Sequence, residues 1–167
     1  SPTNPMNRIA DIAAITRAAR AAGALSVLDN TLAGPHQHGE FDVDLYVHSL
    51  TKFAAGHGDV MGGVIATNEE WAPRLRHVRA LTGGLLHPFG AYLLHRGLRT
   101  MPLRVRAQQE TATELAERLN GHKALARVLF PSLPGCDPEG LIGTQSEGPG
   151  SMLSLDLADG YHAATKF

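Results

Sequence analysis

A single cysteine, Cys136, stands among 167 residues. One thiol permits no internal disulfide and no cysteine metal cage, and it fits a reducing cytoplasm. No charge of one sign prevails: fifteen basic residues face sixteen acidic ones, for a net charge of -1. That balance argues against a nucleic acid or a membrane surface as the main partner. No apolar run approaches the length needed to cross a bilayer, and the first residues carry no signal-peptide pattern. Internal repeats and low-complexity tracts are absent as well. What remains is an ordinary globular composition, 43% hydrophobic and 19% charged, in a length that supports one domain with a real core. The chain starts at Ser1 inside a Pro-rich turn and stops at Phe167, just into an expected helix, so it reads as a piece of a longer protein.

Apolar spacing predicts a helix over residues 11–22, with Asp11 as N-cap and Gly23 as stop. Strand-length runs follow at 25–28 and 43–49, separated by a polar loop at 33–41, and a third strand is expected at 63–66. Helical patterns then dominate at 69–80, 89–98 and 103–119, the last with Pro102 in its first turn and Gly121 past its end. Residues 127–130 and 152–157 read as strands around a Pro- and Gly-rich loop at 131–149, and a last helix begins near Tyr161. This order implies an α/β layer architecture. In such sheets ligands sit at the carboxyl ends of strands, where Asp29 and the run 49–52 both fall.

That run, His48-Ser49-Leu50-Thr51-Lys52, leads into Gly56-His57-Gly58-Asp59-Val60-Met61-Gly62-Gly63. A lysine beside two hydroxyls and a glycine-rich stretch suits a phosphorylated aldehyde. The amine forms an imine with the carbonyl while hydroxyls and backbone hold the phosphate. Pyridoxal phosphate is the cofactor that fits. A spacing of two puts Ser49 and Thr51 on one side of an extended segment and Lys52 on the other. The strand is therefore expected to break before Lys52 and give way to a loop.

The blocks Ser1-Pro2-Thr3-Asn4-Pro5, Leu28-Asp29-Asn30-Thr31, 44–63, 83–88, Arg96-Gly97-Leu98, 130–134 and 150–155 run in order over essentially the whole chain. In this it resembles the pyridoxal-phosphate enzymes of cysteine and methionine metabolism: cystathionine γ-synthase, cystathionine γ-lyase, methionine γ-lyase and their relatives. The resemblance implies an α/β, aminotransferase-like (fold-type I) chain. Residues 1–100 would form part of the mixed-sheet cofactor domain, and 101–167 a connecting helix with the start of a small C-terminal α/β domain. It implies that Lys52 joins the cofactor and moves substrate protons, that Asp29 faces the ring nitrogen, that Ser49 and Thr51 hold the phosphate, and that Asn4 meets the phenolic oxygen. His57 and Asp59 are expected to be structural, and Arg96 and Arg104 to serve ion pairs or an interface. The implied substrate is a sulfur amino acid, and the implied assembly a dimer of dimers.

The family's glycine-containing phosphate loop and ring-stacking tyrosine are expected before this segment, and its carboxylate-clamping arginine after it. Gly58, His87, Gly90 and Ser151 depart from the family's common residues. The changes at His87 and Gly90 incline the reading toward γ-elimination over γ-replacement. Two further readings compete. His36 and His38 with Asp42, Asp44 and His48 offer ligands for a metal-dependent hydrolase. A non-catalytic fragment is the other, because the chain holds about half of the implied site.

Overall fold

The computed structural model describes residues 2–33 and 41–166. Along them lie α1 (Ile12–Ala21), β1 (Val27–Asp29), β2 (Leu45–Ser49), a π turn (Leu50–Ala54), β3 (Gly63–Thr67), α2 (Ala72–Thr82) and α3 (Pro88–Leu98). Then come α4 (Met101–Leu119), β4 (Leu125–Leu129), β5 (Ser154–Leu157) and α5 (Gly160–Ala164). None of the described helices is long and apolar enough to cross a membrane.

Local chemistry explains the boundaries. The Asp11 carboxylate accepts from Ala14 N at 2.8 Å and starts α1. Gly23 takes a φ of 65° just past its end. β1 begins two residues later than the apolar run, because Ser26 spends its N–H and hydroxyl on Asp44 Oδ2, each at 2.7 Å. It extends to Asp29, which pairs with Val47. α2 begins at Ala72, not at Glu69, because Pro73 fits only the first turn of a helix and would clash with a carbonyl four residues back. α4 starts at Met101 with Pro102 in its first turn. The expected polar loop at 33–41 falls largely outside the described residues.

β1 and β2 run parallel, and β3 returns antiparallel to β2, so the three-stranded sheet is mixed. Side-chain staples fix the register at both ends. At the start, Asp44 N also donates to Ser26 Oγ at 3.0 Å. At the carboxyl end, Ser49 N donates to Thr31 Oγ1 at 2.9 Å. β4 and β5 form a separate antiparallel pair.

α4 belongs to two cores. Its first turns set Met101 and Val105 against Ala54 of the π turn. Its later turns set Ala112 and Ala116 against Val128, Phe130 and Leu133. Phe130 is fully buried there. Its replacement by alanine should cost about 3–5 kcal/mol, read as a lower urea midpoint with an unchanged slope. An unchanged midpoint would mean that this second core does not support the fold.

The segment before α1 is held from the far end of the chain. Asn7, buried with a φ of 52°, donates to Leu129 O at 3.3 Å and Ser154 Oγ at 3.2 Å. The Ser154 hydroxyl in turn donates to Pro5 O. Gln145 accepts from Ile12 N at 2.9 Å and donates to Ala10 O at 2.8 Å.

Candidate active site

Because β1 and β2 are parallel, Asp29 and Ser49 end their strands at the same edge. Asp29 pairs with Val47, and Ser49 follows Val47 by two, so the three share one face of the sheet. Thr31 joins the strand ends. Its N–H donates to Asp29 Oδ1 at 2.9 Å, and its hydroxyl oxygen accepts from Ser49 N. Burial pushes the Asp29 carboxyl up, but hydrogen bonds from Thr31 outweigh it and hold the group below the ordinary carboxylate range. Asp29 is therefore an anion at neutral pH.

After Ser49 the chain leaves the strand, as the side-chain alternation requires. It does so in a π turn instead of an open loop. Lys52 sits in it at φ -87° and ψ -117°, outside helical geometry, with its side chain exposed. Ala55 N reaches back to Leu50 O at 3.0 Å and Gly56 N to Lys52 O at 2.8 Å. Thr51 is set by Gly62: its hydroxyl oxygen accepts from Gly62 N at 3.0 Å, and its O–H donates to Gly62 O at 3.3 Å. The Thr51 proton turns to another acceptor only by leaving Gly62 O. His57 Nδ1 donates to Ala55 O at 2.6 Å, the structural role expected of it.

An exposed amine, an anionic carboxylate on the neighbouring strand end and two hydroxyls at one sheet edge make a donor set that fits pyridoxal phosphate. Hydrogen bonds tie Asp29, Thr31 and Ser49 together, and Ser49 pairs with Gly63 next to the Thr51–Gly62 contact. Asn4 is exposed in the turn at 4–6 and is not among them. Thr31 went unassigned in the sequence, although a hydroxyl two residues beyond a strand-end aspartate is the signal that marks it.

The opposite face carries His48, buried in β2, with no described hydrogen-bond partner on either ring nitrogen. Burial lowers its pKa, against the pull of the Asp29 charge, and keeps it neutral. The cluster offered for a metal does not assemble among the described residues. Asp42 pairs with Arg20 at 2.8 Å, Asp44 is stapled to Ser26, and His48 is enclosed by the sheet. His36 and His38 lie outside the described residues. Among those described, no group of three histidine, cysteine or acidic side chains is placed to hold a metal.

The donor set is thus of a kind that suits a phosphorylated aldehyde cofactor, and similarity gives the family. The family model for Cys/Met metabolism PLP-dependent enzymes matches residues 1–167, and the chain belongs to that family. An L-methionine gamma-lyase of Brevibacterium sandarakinum is 53% identical, over 100% of this chain and 42% of that protein. A probable cystathionine gamma-synthase of Herpetosiphon aurantiacus is 37% identical, over 98% of this chain and 52% of that protein. Among solved structures, the cystathionine gamma synthase of Xanthomonas oryzae pv. oryzae with aminoacrylate and cysteine has a TM-score of 0.92 at 39% identity, covering 99% of this chain and 43% of that one. The fold is accordingly that of the fold-type I enzymes. The chain spans about half the length, or less, of these relatives.

Proposed function

We propose that the protein carrying this chain is a pyridoxal-phosphate-dependent lyase of sulfur amino acids working by γ-elimination. Methionine or cystathionine, with water, would give a keto acid, ammonia and a thiol. The observation that supports this is anionic Asp29 at the end of β1, joined through Thr31 to Ser49, from which the exposed Lys52 follows by three residues. The 53% identity to an L-methionine gamma-lyase supports elimination in particular.

Lys52 holds the cofactor through Nζ. Asp29 faces the ring nitrogen, Ser49 and Thr51 donate to the phosphate, and Asn4 meets the phenolic oxygen. The bound cofactor supplies an electron sink for the pair left at Cα. Lys52 Nζ, free once substrate is bound, would accept the Cα proton, deliver it onward to the bound group and, neutral again, accept a Cβ proton that the departing thiolate can take up. Asp29 keeps its negative charge throughout. Thr51 is oriented by Gly62, whose N–H it accepts from and whose carbonyl its proton would leave for the phosphate.

The reading extends to a cytoplasmic dimer of dimers, following the family resemblance and the single cysteine. A division near residue 100 is supported by the start of α4 at Met101. γ-Replacement is the second reading, favoured by the cystathionine gamma-synthase relatives. Product analysis of the full-length enzyme separates the two. Thiol and keto acid released together from methionine or cystathionine are expected. Replacement product from an activated homoserine and cysteine, with no keto acid, would move the assignment to a synthase.

A further inference from the structure

We propose that Arg104 is the positioning residue for Lys52. Its guanidinium clamps the turn that carries the lysine and so fixes where Nζ meets the cofactor. The inference rests on the reading of Lys52 as the cofactor lysine.

The turn at Leu50–Ala54 has no ladder to hold it. It is five residues long and broken at Lys52, and each carbonyl at its end needs a donor. The carbonyls of residues 52–55 are all satisfied, in sequence. Lys52 O accepts from Gly56 N. Phe53 O accepts from Arg104 Nη1 at 3.0 Å and Ala54 O from Nη2 at 3.5 Å. Ala55 O accepts from His57. The same guanidinium reaches α3 and the cap of α4: Nη2 donates to Gly97 O at 2.8 Å and Nε to Thr100 Oγ1 at 3.1 Å. One side chain thus joins the lysine turn to two helices.

Space around the clamp is reserved by glycine. A Cβ on Gly56, where φ is 74°, would lie 1.8 Å from Arg104 Nη1. A Cβ on Gly97 would lie 2.3 Å from Ala55 O, so α3 rests directly on the turn's backbone. Ala54 and Ala55 are buried beneath it. Of the ion pair or interface expected of Arg104 from sequence, the described residues give it no ion pair. Among the described residues it meets no carboxylate, and its hydrogen bonds go to three carbonyls and one hydroxyl. A planar fork can serve several carbonyls at fixed angles, whereas a lysine ammonium at the end of a flexible stem cannot.

Three variants of the full-length holoenzyme test this: R104K, G56A and the milder Thr100→Val, which removes only the Nε partner. Four quantities are measured: cofactor affinity by dialysis, the fraction of bound cofactor that borohydride fixes to Lys52, the pH midpoint of the bound cofactor's absorbance, and kcat with KM. R104K should weaken cofactor binding about tenfold, lower the fixed fraction, shift the absorbance midpoint and lower kcat on the order of 100-fold with little change in KM. G56A should do the same with Arg104 still present. The double variant should be no worse than the worse single, since both break one device. If R104K does not fold, Thr100→Val should still move the midpoint in the direction G56A does. The proposal is overturned if the variants lower only the melting temperature while midpoint, fixed fraction and affinity stay put, or if the double is additive. Should borohydride fix cofactor to another lysine in the unaltered protein, the parent reading fails instead, whatever the variants do.

Discussion

Replacing Lys52 with alanine should leave the full-length protein folded and bring turnover down by at least about 10²–10⁴-fold, the range attached to one positioned proton-transfer group. Folding is spared because the Lys52 side chain is exposed and its backbone carbonyl, the atom that helps close the turn, is kept in the variant. Turnover is lost because no other described lysine is placed at this edge of the sheet. Lys123 follows α4 and Lys166 follows α5, and neither lies on β1, β2 or the turn after them. The check is borohydride reduction and peptide mass mapping. The unaltered protein should carry a pyridoxyl mass on the peptide with Lys52, and the alanine variant none. A pyridoxyl mass elsewhere, or near-normal turnover, would sink the assignment of Lys52.

Asp29→Asn should cut turnover on the order of 10²–10³-fold, comparable to removing one preorganised polar group from a reacting centre. The exchange is nearly isosteric, and an amide oxygen can still accept from Thr31 N, so the strand end keeps its shape. What disappears is the charge. An asparagine cannot stabilise a protonated ring nitrogen, and the cofactor becomes a weaker electron sink. The pH behaviour has a definite sign. Burial raises the Asp29 pKa and the Thr31 hydrogen bonds lower it further, with a net depression. A depressed carboxylate contributes in full above its unfolded pKa, and that contribution is lost as pH falls through the folded pKa. Activity of the unaltered enzyme should therefore not fail through Asp29 anywhere in the mildly acidic range. Turnover of the variant within a few-fold of normal would show that this carboxylate does not face the ring nitrogen.

The sequence makes the elements around the site legible because each carries a local signal. Asp11 and Gly23 bracket α1, Pro102 marks the start of α4, and Leu45 alternates with Val47 along β2. It also places Asp29 and Ser49 at strand ends, and the parallel pairing brings those ends together. Errors arose where a side chain outbid the local pattern. Ser26 belongs to a staple with Asp44 and drops out of β1. Pro73 delays α2. The turn at Lys52 was legible only as a break, since a π turn depends on what sits beneath it. Arg104 lies 52 positions beyond Lys52. Its role is written in carbonyl positions that no residue pattern encodes, with Gly56 and Gly97 as the sole trace in the sequence.

The ties that hold the segment before α1 also bear on the order in which the fold is made. Asn7, Pro5 and the start of α1 are anchored by Leu129, Gln145 and Ser154, across separations of 122 to 149 residues. Contacts so distant come late, because a large loop must close before they form. During synthesis the turn at 4–6 is made before its anchors and waits for them until β5 has been added. Lys52, Asp29 and Ser49 can assemble within a far shorter stretch of chain. Within these residues, a segment made before the lysine turn is thus fixed after it.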